Sequence, residues 1–192
     1  NFTVNLIVDG GYIWNMYVCD ADNACNWSDY NFTFTVDATR PSNVNLTTPP
    51  NNAANRSSTW RFDSNASDNR GLVNATLYHN ISGSWVANQT NTVTGANGVV
   101  TSFNVSVIVN GTYSWNVQWC DAIGNCNQSN TNFSFTVDTV RPASVNLTSP
   151  TNNTLNKSTT WRFESTATDN ITLSNASLYH NISGSWARNE TV

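Results

Sequence analysis

The chain has 192 residues, room for one large domain or two small ones with a real core, and its eight Trp and eight Phe separate it from a disordered polymer. Only 10% of residues are charged, Lys157 is the single lysine and the formal net charge is −4, which argues against nucleic acid and anionic membrane as partners. No apolar run reaches the roughly 18 residues of a membrane span, and the N-terminus lacks a signal-peptide pattern, so any targeting segment is expected outside this stretch.

Short segments of alternating apolar and polar residues, parted by Gly, Pro, Asn and Asp clusters and without a helical period, predict an all-β fold. Taken in chain order between Arg40 and Val140, strands are predicted near 43–48, 58–66, 72–82, 86–94, 99–109, 112–120 and 127–137. Seven strands suit a β-sandwich. Parity assigns the inward side chains: Phe103, Val105, Val107 and Val109; then Tyr113, Trp115, Val117 and Trp119; then Phe133, Phe135 and Val137. Trp115 and its equivalent Trp14 are expected to be central packing residues.

That equivalence comes from a repeat. Sliding the chain along itself by 101 residues superposes Tyr12-x-Trp14-Asn15 on Tyr113-x-Trp115-Asn116 and Thr59-Trp60-Arg61-Phe62 on Thr160-Trp161-Arg162-Phe163, with 53 of 91 positions identical. A period this long fits one whole small domain per repeat rather than a propeller blade or solenoid turn. The expected organisation is a C-terminal part of one repeat at 1–39, a complete repeat at 40–140 and an N-terminal part of a third at 141–192. Half-domains would leave core and strand edges uncovered, so they are expected to be completed by further repeats of a longer array or by head-to-tail neighbours through strand complementation.

Four cysteines, Cys19, Cys25, Cys120 and Cys126, form two pairs of the same spacing and favour two local disulfides in an oxidising compartment. Zinc is the rival reading, but no His lies nearby to complete a site and the spacing is unusual for one. Cys120 sits on the outward parity of its strand. A bond to Cys126 would staple the Asp121–Asn125 turn rather than bridge two sheets.

The series Trp-Asn, Cys-Asp-Ala, Gly-Asn-Cys, Phe-Thr-Val-Asp and Arg-Pro resembles the extracellular immunoglobulin-like repeats of archaeal and bacterial surface glycoproteins, of S-layer, adhesin or fibre type. The matching loop is Asp121-Ala122-Ile123-Gly124-Asn125, and the matching linkers are Val36-Asp37-Ala38-Thr39-Arg40-Pro41 and Val137-Asp138-Thr139-Val140-Arg141-Pro142. The first copy departs from the pattern, reading Asp20-Ala21-Asp22-Asn23-Ala24 without the glycine. The resemblance implies a tandem immunoglobulin-like fold at the cell surface with a structural or adhesive role, and transfers no catalytic residues.

Of 33 Asn, 20 begin Asn-x-Ser/Thr, where random placement of the 46 Ser and Thr would give about eight. Seven sites recur in register: Asn26, Asn31, Asn45, Asn55, Asn74, Asn80 and Asn88 against Asn127, Asn132, Asn146, Asn156, Asn175, Asn181 and Asn189. The others are Asn1, Asn65, Asn104, Asn110, Asn152 and Asn170. A glycan is bulky and hydrophilic and needs an outward position. Parity predicts one for Asn31, Asn45, Asn74, Asn80, Asn104 and Asn110. Covalent N-glycans are therefore expected; the bland alternative is an Asn-, Ser- and Thr-rich surface that hydrates a low-charge fold with its sequons empty.

Catalysis is not expected. His79 and His180 stand at one repeated position, and no nucleophile, paired carboxylate or metal constellation recurs with them. Lys157 aligns with Arg56, so no lysine recurs to form an intramolecular isopeptide bond. No cofactor is expected, although Asp37 and Asp138 at the junctions, with Asp63, Asp68 and Asn69 or Glu164, Asp169 and Asn170, offer oxygen ligands for Ca2+. The function these residues predict is a structural component of a glycosylated extracellular filament or stalk whose partners are its own neighbouring repeats. The alternative is an adhesin or carbohydrate-binding module, which would use exposed aromatics such as Trp27, Tyr30 and Trp85.

Overall fold

In a computed structural model, which describes residues 1–5, 7–106 and 108–192, the chain is all β, with 17 strands and no helix among the described residues. Residues 1–39 carry β1 (Gly10–Trp14), β2 (Tyr17–Cys19), β3 (Cys25–Trp27) and β4 (Phe32–Val36). Next come β5 (Ser42–Thr48), β6 (Ala53–Asn55), β7 (Trp60–Ser67), β8 (Leu72–His79), β9 (Val86–Gly95), β10 (Val99–Val105), β11 (Gly111–Asp121), β12 (Cys126–Gln128) and β13 (Phe133–Val137). The chain closes with β14 (Ala143–Ser149), β15 (Glu164–Thr168), β16 (Ser177–His180) and β17 (Ala187–Thr191).

The chain divides into two compact units. The first contains Asn1–Ala53, Thr59–Ser106 and Tyr113–Phe135, the second Ala54–Ser58, Val107–Thr112 and Thr136–Val192. Strand order is β10-β7-β5 in a three-stranded sheet and β6-β13-β11-β8-β9 in a six-stranded one, with β12 added on β11. The pairs β1-β4, β2-β3, β14-β15 and β16-β17 are separate two-stranded sheets.

Alternation explains why these strands form and which face they bury. Along β7, Trp60, Phe62, Ser64 and Ala66 are buried while Arg61, Asp63 and Asn65 point outward. The Phe62 ring lies 5.1 Å from Trp115 and 5.2 Å from Phe135, and Trp60 lies 4.8 Å from Phe135. Rings of β7 therefore meet rings of β11 and β13, and each such pair adds about 0.5–1.5 kcal/mol beyond the area it buries.

Five predicted strands fall within three residues of observed ones; the other two differ for physical reasons. Strand β10 stops at Val105, and it is Ile108, 2% exposed, that is buried, whereas Val109 is 68% exposed. The Ile108 N–H donates to the Ser58 carbonyl at 3.0 Å, beyond the end of β10, and it is Ile108 rather than Val109 that is seated inward there. Val107 lies outside the described residues. The predicted strand at 127–137 is two strands, β12 and β13, separated where Asn116 intrudes. Buried beside Trp115, the Asn116 amide donates to the Ser129 carbonyl and to Asn132 Oδ1, and its Oδ1 accepts from the Ser129 N–H. Asn15 repeats both donations, to Ser28 and Asn31. The Trp-Asn pair thus supplies a core ring and the clamp that shapes the following loop.

Trp14 departs from its expected role. It is half-exposed and meets Phe32 at 5.6 Å, because the cover that Phe62 provides for Trp115 has no counterpart in residues 1–39.

Candidate functional site

None of the 20 sequon asparagines is buried. Fifteen are exposed: Asn1, Asn26, Asn31, Asn45, Asn55, Asn88, Asn104, Asn132, Asn146, Asn152, Asn156, Asn170, Asn175, Asn181 and Asn189. Five are half-buried: Asn65, Asn74, Asn80, Asn110 and Asn127. Exposure discriminates most in the well-covered strands. On β8, Asn74 alternates with buried Ala75 and Leu77, and on β10 exposed Asn104 follows buried Phe103.

Several of these side chains also do structural work. Asn80 Oδ1 accepts from the Ser114 N–H at 2.7 Å, and Asn110 Oδ1 accepts from the backbone and hydroxyl of Thr139 at 2.9 and 2.7 Å. Asn127 Nδ2 donates to the Pro41 carbonyl at 2.8 Å. Asn45 Nδ2 donates twice, to the Asn43 carbonyl and to Asn65 Oδ1. A glycan replaces one Nδ2 hydrogen, so attachment at Asn45 has to break one of its two bonds.

Disulfides join Cys19 to Cys25 and Cys120 to Cys126, and each pair faces directly across a hairpin, β2-β3 or β11-β12. Two disulfides fit an oxidising environment. Between Cys120 and Cys126, buried Asp121 organises the turn: its Oδ1 accepts from the N–H groups of Ile123, Gly124 and Asn125, and its Oδ2 from Asn125 Nδ2 at 2.7 Å. Burial pulls this carboxyl upward, but the Asn125 side chain and the three backbone donors hold it below the ordinary Asp value. Gly124 takes φ +96°, and its counterpart one repeat earlier, Asn23, takes φ 63°, so asparagine holds in the first copy the positive-φ position that glycine holds in the second.

The proposed oxygen ligands separate into groups. Asp63 pairs with Arg61 at 2.7 Å and Glu164 with Arg162 at 2.9 Å. Asp37 and Asp68 come together with Asp121, a residue that the sequence marked only as a turn former. Asp138 and Asp169 join no such group among the described residues, and Asn170 is an exposed sequon asparagine. Of the aromatics, Trp27 and Tyr30 are exposed and Trp85 is exposed beside Tyr78, whose ring centroid is 6.3 Å away. His79 is buried, and its Nδ1 accepts from the Ile81 N–H at 3.3 Å.

No family model matches the sequence, and no curated protein matches it. Among solved structures the chain is similar to an engineered protein known from its crystal structure, at 16% identity and a TM-score of 0.37, over 52% of this chain and 20% of that one. The chain thus spans about a fifth of the length of the protein it matches. What the chain shows by itself is an all-β architecture of several small sheets with two disulfide-closed hairpins.

Proposed function

We propose that the chain is a structural segment of a densely N-glycosylated extracellular filament or cell-surface stalk, built from tandem immunoglobulin-like β-sandwiches with a 101-residue period. The observation that carries this reading is the placement of the sequons: all 20 escape burial, including those on strands whose neighbouring residues form the core. The order β10-β7-β5 opposite β6-β13-β11-β8-β9, with the β11 tryptophan packed between, supports the sandwich assignment. Sugars on both faces would hydrate a surface poor in charge, hinder edge pairing and protect the backbone from proteolysis.

The array reading rests on matched residues in different settings. Leu46 is 6% exposed while Leu147, one repeat on, is 86% exposed; Phe62 is 0% and Phe163 42%. Identical side chains that close a core in one copy leave an apolar groove in the other, lined by Leu147, Trp161, Phe163 and Leu178. Neighbouring repeats or neighbouring subunits would cover it. Intact mass of the native protein before and after glycan release tests the reading. A large loss of mass is expected, and a native chain that carries no sugar overturns the glycan coat.

A carbohydrate-binding module is the second reading, favoured by exposed Trp27, which packs against Tyr17 at 4.9 Å. Binding of the deglycosylated protein to a glycan array would support it over the structural role.

A further inference from the structure

We infer that Asp37, Asp68 and Asp121 form a calcium site. All three are buried, and one carboxylate oxygen from each lies within 4.8 Å of those of the other two. This inference stands on the carboxylate geometry and does not depend on the glycan or filament reading.

The two oxygens of each carboxylate are used unequally. Asp68 Oδ1 accepts from the N–H groups of Arg70 and Gly71, both at 2.9 Å, and so shapes the turn between β7 and β8. Asp37 Oδ1 accepts from the Thr39 N–H at 3.3 Å and from Asn69 Nδ2 at 3.5 Å. The second oxygens, Asp37 Oδ2 and Asp68 Oδ2, are buried with no hydrogen-bond partner, on residues only 8% and 4% exposed. Orphaned carboxylate oxygens away from water are unfavourable, and gathering three carboxylates raises the cost through mutual repulsion. The two ion pairs among the described residues, Arg61–Asp63 and Arg162–Glu164, do not involve the cluster. A bound divalent cation removes both penalties at once.

The donor set selects the ion. Every ligand in the group is a carboxylate oxygen, with no His or Cys, which disfavours zinc and copper and suits a hard cation. The carboxylates come from three separate segments: the residue after β4, the β7–β8 turn and the β11–β12 hairpin. Calcium accepts such irregular oxygen geometry more readily than magnesium, which demands a near-ideal octahedron. Further oxygens are close by: the Asp37 carbonyl already receives the Asn125 amide at 3.0 Å, and Asn69 reaches both Asp37 and Asp9. A calcium ion here ties the Asp37–Pro41 segment to the two turns. Asp138 and Asp169 stand one repeat on from Asp37 and Asp68 and join no carboxylate group among the described residues.

The test uses the 192-residue chain made in a host that adds no N-glycans, because Asp37→Asn creates an Asn-Ala-Thr sequon; it is stripped with chelator and titrated with CaCl2 by calorimetry, with thermal unfolding followed in chelator and in calcium. One site per chain is expected, with a Kd of roughly 1 mM or tighter, a higher Tm in calcium and a smaller response to MgCl2. Asp37→Asn is expected to weaken calcium binding at least about ten-fold, while in chelator it melts at or above the native chain because one repelling charge has gone. A purely structural Asp37 would instead lower Tm equally in both conditions. No binding heat and no Tm shift at roughly 10 mM calcium would overturn the inference, as would undiminished affinity in Asp37→Asn. An equal or larger response to magnesium overturns the assignment of calcium. Should the variant fail to fold, the titration of the unmodified chain decides by itself.

Discussion

The Trp119 indole N–H donates to Ser64 Oγ at 3.0 Å, joining β11 of one sheet to β7 of the other between two fully buried side chains. Leaving that indole donor unpaired is costly in a place water cannot reach. Ser64→Ala is therefore expected to lower the unfolding free energy by about 1–3 kcal/mol in urea titrations. In a Trp119→Phe background the donor is absent, and the same Ser64→Ala change should cost less than about 1 kcal/mol. Equal costs in the two backgrounds would remove the hydrogen bond from any account of how the sheets are held in register.

The Cys120–Cys126 bond is local, with the two cysteines only six positions apart on a hairpin. Its loop-entropy contribution is correspondingly small, about 2 kcal/mol. The Cys120→Ser, Cys126→Ser double variant should remain folded with Tm reduced, because Asp121 still organises the turn through Ile123, Gly124 and Asn125. Collapse of near-ultraviolet circular dichroism in that variant would show the disulfide to be indispensable to the core.

Periodicity made the strands legible wherever one face is covered. Phe103, Trp115, Val117, Trp119, Phe135 and Val137 all lie inward as parity assigned them. It failed at Val109, since parity cannot register the backbone bond from Ile108 to Ser58 beyond the end of β10. It also missed Asn116, a polar residue on what parity reads as the outward side, whose amide is satisfied by a loop 13 to 16 residues away. The carboxylate cluster was legible only in pieces. Asp37 and Asp68 were visible as oxygen donors, but Asp121 read as turn chemistry, and only the fold brings the three segments together.

Sequon occupancy should follow local geometry. Asn104 is exposed on β10 and Asn88 on β9, whereas Asn80 is half-buried with Oδ1 fastened to the Ser114 N–H. Glycopeptide mapping of protein from its native source is expected to find Asn88 and Asn104 close to fully occupied and Asn80 among the least. Asn45 should fall between them, since a sugar there costs one of two hydrogen bonds, each contributing about 1 kcal/mol. Uniform occupancy across all four would mean that the sugars are added before these contacts form.

His79 is expected to make stability depend on pH above the range where carboxylates titrate. Burial lowers its pKa, and the weaker opposing influences of its own backbone and of the Asn88 side chain do not restore the ordinary value. A histidine depressed in the fold binds its proton more readily when unfolded. Stability is therefore unaffected by this group well above pH 6.5, falls as the pH drops through the unfolded value near 6.5, and stops falling once the folded pKa is passed. One proton limits the slope to about 1.4 kcal/mol per pH unit. His79→Gln keeps a polar side chain at the position and removes the titration, so its urea midpoint should change less than the native one between pH 7.5 and 5.5. Parallel pH profiles for the two proteins would mean that His79 gains its proton as easily in the fold as in the unfolded chain.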